Sequence, residues 1–394
     1  MALHISTKTD GDTLFLILNG KIDSGNAPDV ENDINRLLEE HPSKQLVLDA
    51  KDLSYISSAG LRIVLRLRKS FPDIKIIDVN SEVYEIFDMT GFTEMVKIEK
   101  AYRQISVEGC ELIGSGTNGN VYRINEDTII KVYKHAESLP DILKERELAR
   151  KAFVKGIPTA IPYDVVKVGK SYGSVFELLN ANSFSQLIAK EPERLDYYVQ
   201  LYVDLLKKIH QAEFKPDELP DMKEQFLTWT DMIKDCLPND LWLKLKSMIE
   251  AIPRDNHMLH ADYHTKNVMM QDGETLLIDM DTICVGHPIF EFAAMFLTYI
   301  GFDESTPDNT LVFLGYPRQT ARDLWDKTLP LYFNTNDKVR LQELETKAMI
   351  LGYTRLLRRT LEKKGVDIES YEHRKERCIR HLIEEIPKVD SLVF

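Results

Sequence analysis

The sequence of 394 residues predicts an α/β domain followed by an α+β domain. In the first hundred residues, short apolar runs alternate with helical segments, which is typical of one sheet covered by helices. Strand-like segments follow up to about residue 180, and segments with helical apolar spacing are frequent after residue 181. We therefore expect three parts: a small α/β domain at 1–102, a strand-rich lobe at 103–180 and a largely helical lobe at 181–394.

Composition and charge narrow the function classes. A net charge of −13 argues against a general binder of nucleic acid or anionic membrane, because such proteins need a positive surface. No apolar run reaches membrane-spanning length, and the amino terminus is strand-like and does not resemble a signal peptide. These features predict a cytoplasmic protein. The four cysteines form no CxxC pair, so neither a disulfide framework nor a zinc site is indicated.

The elements of the first domain follow from short apolar runs and helical faces. One predicted helix, for example, places Val30, Ile34 and Leu37 on the same face. In chain order we predict a strand at Leu14–Leu18, a helix at Pro28–His41, a strand at Leu46–Leu48, a helix after Gly60, a strand at Ile74–Val79 and a helix at Val83–Met89.

Two stretches of this domain resemble the STAS family, the fold of anti-sigma factor antagonists. They are DAKDLSYISSAGLRIVLRL, from Asp49 to Leu67, and the later SEVYEIFDMTGFTEMVKI. The resemblance implies a regulatory module that binds a protein partner, and it maps the serine phosphorylated in antagonists to Ser58. Serine at a helix start is also a preferred N-cap, so capping is the alternative role of Ser58.

A glycine-rich turn opens the second part of the chain. Gly114, Gly116, Gly119 and Val121 form a GxGxxGxV pattern between apolar pairs, which resembles the strand–turn–strand loop that covers nucleotide phosphates in kinases. A dinucleotide fingerprint requires a helix immediately afterwards. We therefore predict that this turn binds a nucleotide.

The next candidates follow in kinase order. Lys131 lies in an apolar strand, the place where a kinase keeps the lysine that contacts the α- and β-phosphates. Glu145 opens a segment that resembles the next kinase helix, so we expect an ion pair with Lys131, with Glu147 as the fallback. Glu177 and Leu178 resemble the hinge that meets adenine; an ordinary strand-to-helix connection is the alternative.

Three oxygen-bearing side chains are expected at one end of a β-hairpin. Short apolar runs at 258–259, 268–270 and 276–278 predict strands around a loop and a turn. Asp262 lies on the loop, Asn267 ends it, and Asp279 ends the returning strand. A base carboxylate with an amide and a second carboxylate for Mg²⁺ suits phosphoryl transfer. The alternative is that these residues only cap turns.

The loop HADYHTKN, residues 260–267, resembles the HGDxHxxN loop of the aminoglycoside phosphotransferase and choline kinase-like family, and residues 278–281 resemble its IDxD stretch. The resemblance implies a bilobal protein kinase-like fold, ATP and Mg²⁺ as cofactors, Asp262 as catalytic base, and Asn267 and Asp279 as metal ligands. Ala261 replaces the usual Gly, and His287 replaces the Asp of a GDPxxD stretch.

Two further sets of charged residues each have two interpretations. Asp281 and Glu291 either attract a cationic acceptor or support the metal ligand and the hairpin, and we favour support. A basic run near the carboxyl terminus predicts a solvated helix face; the alternative is contact with the acidic remainder of the chain or with an anionic acceptor. That run comprises Arg355, Arg358, Arg359, Lys363 and Lys364.

The leading functional prediction is an ATP- and Mg²⁺-dependent phosphotransferase that acts on a hydroxyl of a small molecule. The STAS-like domain would regulate or recruit it through a protein partner. One alternative is a nucleotide-sensing signalling adaptor, and another is a kinase that acts on a protein hydroxyl such as that of Ser58. Acceptor choice depends on pocket shape, so the sequence identifies no acceptor.

Overall fold

A computed structural model describes residues 3–115, 119–135, 138–160, 162–179, 181–305, 308–362 and 368–394. The chain separates into two compact units. The first comprises Met1–Val107 with Val165–Lys170, and the second comprises Glu108–Asp164 with Ser171–Phe394. Among the described residues, no helix is long and apolar enough to cross a membrane.

The first unit contains a five-stranded sheet in the order β1-β2-β3-β4-β5. The first pair is antiparallel, and the remaining neighbours are parallel. Its strands are β1 His4–Asp10, β2 Thr13–Ile22, β3 Gln45–Ile56, β4 Lys75–Val79 and β5 Lys97–Lys100, and its helices are α1 Ala27–Glu40, α2 Ser58–Ser70 and α3 Ser81–Met89. Side chains of the central strands, such as Leu16 and Leu48, pack into one apolar core.

The start of α2 corrects one of the two roles offered for Ser58. Ser57, in extended conformation, is the N-cap, and its side chain accepts a hydrogen bond from the amide of Gly60 at 3.4 Å. Ser57 is buried, whereas Ser58 is the first helical residue and is exposed. Capping therefore belongs to Ser57, because only the residue before the first turn can reach the free amides of that turn.

The second unit begins with an antiparallel sheet in which β6, β7, β8 and β10 are successive neighbours. Its elements are β6 Glu111–Ser115, β7 Gly119–Arg123, β8 Thr128–Tyr133, α4 Leu139–Val154 and β10 Ser171–Glu177; β9, between α4 and β10 in the chain, spans Asp164–Val168. Helix α4 starts six residues before Glu145, so Glu145 lies inside this helix and does not open it.

The rest of the second unit is helical apart from short strands around the candidate site. The strands are β11 Asn182–Ser183, β12 Met258–Leu259, β13 Val268–Gln271, β14 Glu274–Leu277 and β15 Cys284–Val285. The helices are α5 Phe184–Lys190, α6 Leu195–Ile209, α7 Met222–Met232, α8 Asn239–Glu250, α9 Ile289–Phe296, α10 Phe302–Ser305, α11 Asn309–Leu314, α12 Arg318–Phe333, α13 Lys338–Glu362 and α14 Ile368–Glu385. A single large apolar core joins them.

Candidate active site

The loop of residues 260–267 lies between two small sheets. The strand before the loop, β12, pairs with β15, and the strand after it, β13, pairs with β14. The β13–β14 turn has Asp272 and Gly273 at φ values of 51° and 85°, as a tight hairpin requires. At the end of the loop, the amide of Ile278 donates to the carbonyl oxygen of Asn267 at 3.0 Å. The loop end is therefore joined to the returning strand that leads to Asp279.

Glu291 holds the start of this loop. Its Oε2 atom accepts hydrogen bonds from the amides of His260, at 2.6 Å, and Ala261, at 3.1 Å. Glu291 is fully buried; burial raises its carboxyl pKa, but His210, His260 and the Ala261 amide together bring that pKa below its usual value. Glu291 thus stays ionised and braces the hairpin, which agrees with the supporting role favoured from the sequence.

Ala261 adopts φ 63°, in the left-handed region. This conformation disfavours a side chain and suits glycine, which explains why glycine is usual here in the family that the loop resembles. The two amides bound to Glu291 hold Ala261 in this strained conformation.

Buried tyrosines support the middle of the loop. Tyr202 and Tyr263 each donate their hydroxyl to the other's carbonyl oxygen, at 3.0 and 2.7 Å. The hydroxyl of Tyr299 accepts from the amide of Thr265 at 3.1 Å and also bonds to the hydroxyl of Tyr202 at 2.8 Å. These tyrosines were not among the sequence candidates, because their hydrogen bonds join segments that are far apart in the sequence.

Asp262, which lies on this loop, has a half-exposed carboxylate. Nε2 of His264 lies 3.6 Å from its Oδ2, and 43 % of the Asp262 side chain is exposed. Partial burial raises its pKa, but His264, Arg355 and His260 outweigh that effect and lower it to about 2. Asp262 is therefore ionised at neutral pH and can accept a hydrogen bond from a hydroxyl donor.

The side-chain amide of Asn267 is held by a hydrogen bond within the loop. Its Nδ2 donates to the carbonyl oxygen of Asp262 at 3.0 Å, which leaves Oδ1 as the free acceptor. Asp279, at φ 62°, exposes 42 % of its side chain. Amide and carboxylate oxygens fit Mg²⁺, which usually takes one or two protein ligands and completes its shell with phosphate and water. Within the described ranges, no group of three or more His, Cys, Asp or Glu residues could hold a metal.

Lys131 joins the sheet, helix α4 and the hairpin. Its Nζ lies 3.1 Å from Oε1 of Glu145 and 3.0 Å from Oδ1 of Asp279. Burial lowers the pKa of Lys131, but both carboxylates outweigh burial and raise it above its ordinary value. The fallback partner, Glu147, instead bonds to the exposed Arg150. Lys131 therefore remains charged between a buried glutamate and the candidate metal ligand.

Asp281 lies in a cluster of carboxyl groups beside these residues. Burial, followed by the charges of Asp279 and Glu145, raises its pKa to about 7. In the described part of the chain, its carboxyl makes no hydrogen bond to Asp279, and the two negative charges repel each other, so the predicted support of Asp279 by Asp281 stays a prediction. Excess carboxylate charge of this kind favours binding of a cation.

The glycine-rich turn is only partly described, because Gly116 lies outside the described residues. A Cβ atom at Gly119 would lie 2.4 Å from the carbonyl oxygen of Val132, so only glycine allows β7 and β8 to approach here. Val121 is directly opposite Lys131 in this pair of strands, and a Cβ atom at Gly114 would make only ordinary contacts.

The predicted hinge differs from the expectation in one respect. Glu177 ends β10 and is exposed, but the amide of Leu178 donates to the carbonyl oxygen of Asp127 at 2.8 Å. That amide is therefore already committed within the protein. Adenine recognition at Leu178 would have to use its carbonyl oxygen, because the donor is engaged.

The basic run corrects the prediction of a solvated helix face. Arg359 is exposed, whereas Arg355 and Arg358 are half-buried, and Lys363 and Lys364 lie outside the described residues. Nη1 of Arg355 donates to the carbonyl oxygen of Ala261 at 2.8 Å. In the sequence, Arg355 and Arg358 are three residues apart, and this spacing indicates that both lie on one face of α13.

Comparison with known proteins identifies the family. A model of the phosphotransferase enzyme family matches residues 109–327, more than half of the chain. The chain belongs to the phosphotransferase enzyme family. A STAS domain model matches residues 4–105 of this phosphotransferase. Both resemblances and the α/β plus α+β fold class are therefore confirmed.

Individual relatives are similar to different shares of the chain. The anti-sigma factor antagonist BtrV of Bordetella bronchiseptica is 33 % identical over 95 residues, which is 23 % of this chain and 80 % of that protein. A gentamicin complex of an aminoglycoside phosphotransferase is 16 % identical, covers 79 % of this chain and 98 % of that chain, and has a TM-score of 0.43. A choline/ethanolamine kinase family protein from Mesorhizobium loti is 14 % identical, covers 71 % and 92 %, and has a TM-score of 0.45.

Proposed function

We propose that this phosphotransferase is an ATP- and Mg²⁺-dependent kinase that transfers the γ-phosphate to a hydroxyl of a small molecule. The observation that carries the proposal is the position of Lys131, which lies within 3.1 Å of Glu145 and Asp279. Through Asp279, this contact joins Lys131, the residue proposed to bind nucleotide phosphates, to the hairpin next to Asp262 and Asn267. The division of the second unit into lobes at residue 180 stays a prediction.

Each residue has a defined task in this proposal. Asp262, ionised because its pKa is about 2, accepts a hydrogen bond from the acceptor hydroxyl and aligns its oxygen for attack. A base this weak favours orientation over early removal of the proton. Lys131 binds nucleotide phosphates and offsets their charge. Asn267 and Asp279 would hold Mg²⁺, which supplies charge neutralisation at the phosphates when bound.

Asp262→Asn tests the role of Asp262. The amide preserves shape but does not accept the hydroxyl proton, so we expect phosphate transfer to fall by about 10²–10⁴-fold. Transfer from ATP to a panel of alcohols and amino alcohols measures this loss, and nucleotide binding should remain. Asp272→Asn, an exposed change on the same hairpin, is the matched control. Full turnover in Asp262→Asn would contradict the assignment.

Ser58 is a second candidate acceptor. Its hydroxyl is exposed at the start of α2, and Ser57 already supplies the cap. A phosphate here would be stabilised by the helix N-terminus, whose first turn carries no acidic residue. Intact-mass measurement after incubation with ATP and Mg²⁺ should show one added phosphate that Ser58→Ala removes. Retention of that phosphate in Ser58→Ala would argue against Ser58 as the acceptor.

The STAS unit is proposed to regulate or recruit the kinase through a protein partner. This proposal is supported by its similarity to the Bordetella protein, which is named an anti-sigma factor antagonist. The competing function is a nucleotide-sensing adaptor. ATP binding without transfer to any small molecule or to the protein itself would favour the adaptor.

A further inference from the structure

Tyr133 lies two residues after Lys131 on strand β8. Side chains two residues apart on a strand point to the same face of the sheet, and here both side chains reach Glu145 of helix α4. The hydroxyl of Tyr133 donates to Oε2 of Glu145 at 2.5 Å, and Nζ of Lys131 lies 5.3 Å from the centroid of the tyrosine ring. Tyr133 therefore contacts both members of the Lys131–Glu145 ion pair.

The carboxylate of Glu145 depends on these two neighbours. Glu145 is buried, and a buried charge is unfavourable unless hydrogen-bond donors satisfy its oxygens. Nζ of Lys131 lies 3.1 Å from Oε1 and 3.3 Å from Oε2. Within the described ranges, the one other side chain that donates to this carboxylate is Tyr133. Loss of the tyrosine hydroxyl would leave Lys131 alone to balance both oxygens.

The ammonium group of Lys131 has several acceptors to serve. It carries three N–H donors, and these already bond to Glu145 and, at 3.0 Å, to Asp279. A lysine that satisfies a buried carboxylate by itself has fewer donors for a phosphate, because charge-assisted hydrogen bonds of this kind are strong. A separate donor to Glu145 reduces that demand on Lys131.

Tyr133 is suited to act as this donor. Burial, followed by the charge of Glu145, raises the pKa of Tyr133, so its hydroxyl stays protonated. The hydroxyl of Ser171 donates to the carbonyl oxygen of Tyr133 at 2.6 Å, which holds the tyrosine backbone. Gly119, the last glycine of the glycine-rich turn, is directly opposite Tyr133 in the β7–β8 pair. The tyrosine thus lies beside both the turn and the ion pair.

We propose that Tyr133 is a positioning residue for nucleotide binding: its hydroxyl fixes Glu145, and Glu145 in turn holds Lys131 in place for the phosphates. The inference rests on the proposed function, because Lys131 is proposed there to bind nucleotide phosphates. Tyr133 acts on the nucleotide only through Glu145 and Lys131.

Tyr133→Phe tests this role, because it keeps the ring and removes only the hydroxyl. The full chain is titrated by calorimetry with a non-hydrolysable ATP analogue in the presence of Mg²⁺. We expect the variant to bind the analogue at least about threefold more weakly, since a hydrogen bond to a buried charge is lost. Tyr122→Phe, on β7 opposite Ile130 and therefore on the other face of the sheet, is the matched control and should bind as the wild type. Urea unfolding verifies that each variant is folded.

A double-mutant cycle separates positioning from a merely structural role. Lys131→Met removes the ammonium group and keeps the apolar stem. If Tyr133 acts through Lys131, adding Tyr133→Phe to Lys131→Met should change the affinity by less than about 1.5-fold, because coupled residues are not additive. A tyrosine that only stabilises the sheet would cause the same fold loss in both backgrounds.

The outcomes separate this inference from the proposed function. Unchanged affinity in Tyr133→Phe, the same loss in Tyr122→Phe, or an equal loss with and without Lys131→Met overturns the inference. Transfer of phosphate from ATP to an alcohol, together with any of these results, leaves the kinase function standing. A loss in Tyr133→Phe that requires Lys131, without transfer to any acceptor, supports the positioning role and refutes the kinase function. Absence of nucleotide binding by the wild type overturns both.

Discussion

His287 should make the second unit sensitive to acid. It is 8 % exposed, its Nδ1 accepts a hydrogen bond from the amide of Ile289 at 3.2 Å, and its ring lies 4.5 Å from that of Phe394. The accepting nitrogen must be unprotonated. Burial accordingly lowers the pKa of His287 from 6.5 to about 4, although Asp255 acts in the opposite direction. The native state thus requires the neutral imidazole.

The sign and size of the change in stability follow from the difference between the pKa of His287 in the native state and in the unfolded state. Because the native pKa lies below the unfolded one, the unfolded state binds more protons between about pH 6.5 and 4. The stabilisation is complete above pH 6.5 and is lost as the pH falls towards 4. The full difference corresponds to about 3 kcal/mol, and partial solvation reduces it to roughly 2 kcal/mol.

Urea unfolding at about pH 7 and about pH 4 measures this contribution. Tryptophan fluorescence reports on the correct unit, since Trp229, Trp242 and Trp325 all lie in the second unit. His287→Asn keeps an acceptor but does not titrate, so it should lose roughly 2 kcal/mol less than the wild type on acidification. His373→Asn, an exposed control, should behave as the wild type. Equal losses in His287→Asn and the wild type would refute the reasoning.

The remaining predictions concern the loop. Ala261→Gly should raise the unfolding free energy by about 0.5–1 kcal/mol, because relief of the left-handed strain exceeds the entropic cost of glycine; urea unfolding checks this, and a decrease would contradict it. Glu291→Gln should lower that free energy by about 1–2 kcal/mol and reduce kcat, because two charge-assisted hydrogen bonds to the loop become neutral ones. Unfolding and transfer assays test it, and an unchanged kcat would exclude a positioning role.

Local patterns predicted the order of elements and the candidate groups. The turn at Asp272 and Gly273, and the strands on either side of Asp262, depend on residues a few positions apart. The glycine pattern around Gly119 likewise reflects a close approach of neighbouring strands. Such features are visible in the sequence because each is set by side-chain type and short spacing.

Where two neighbouring residues could fill the same role, only the tertiary structure showed which one does. Ser57 and Ser58 are adjacent serines, and only the exact start of α2 showed which one caps it. Glu145 and Glu147 are both compatible with a partner of Lys131, but the packed orientation of α4 brings Glu145 to 3.1 Å. A shift of one or two residues in a helix rotates a side chain by 100° or more, and that rotation is set by tertiary packing.

The sequence by itself determined the family, the fold class and the group of residues that meet at the hairpin, because their motifs are local and occur in a recognisable order. The tertiary structure alone decided the surroundings of that group: the buried brace of Glu291, the tyrosine support and the approach of Arg355, 94 residues from Ala261. These contacts join distant segments through burial and hydrogen-bond geometry, which local spacing does not specify.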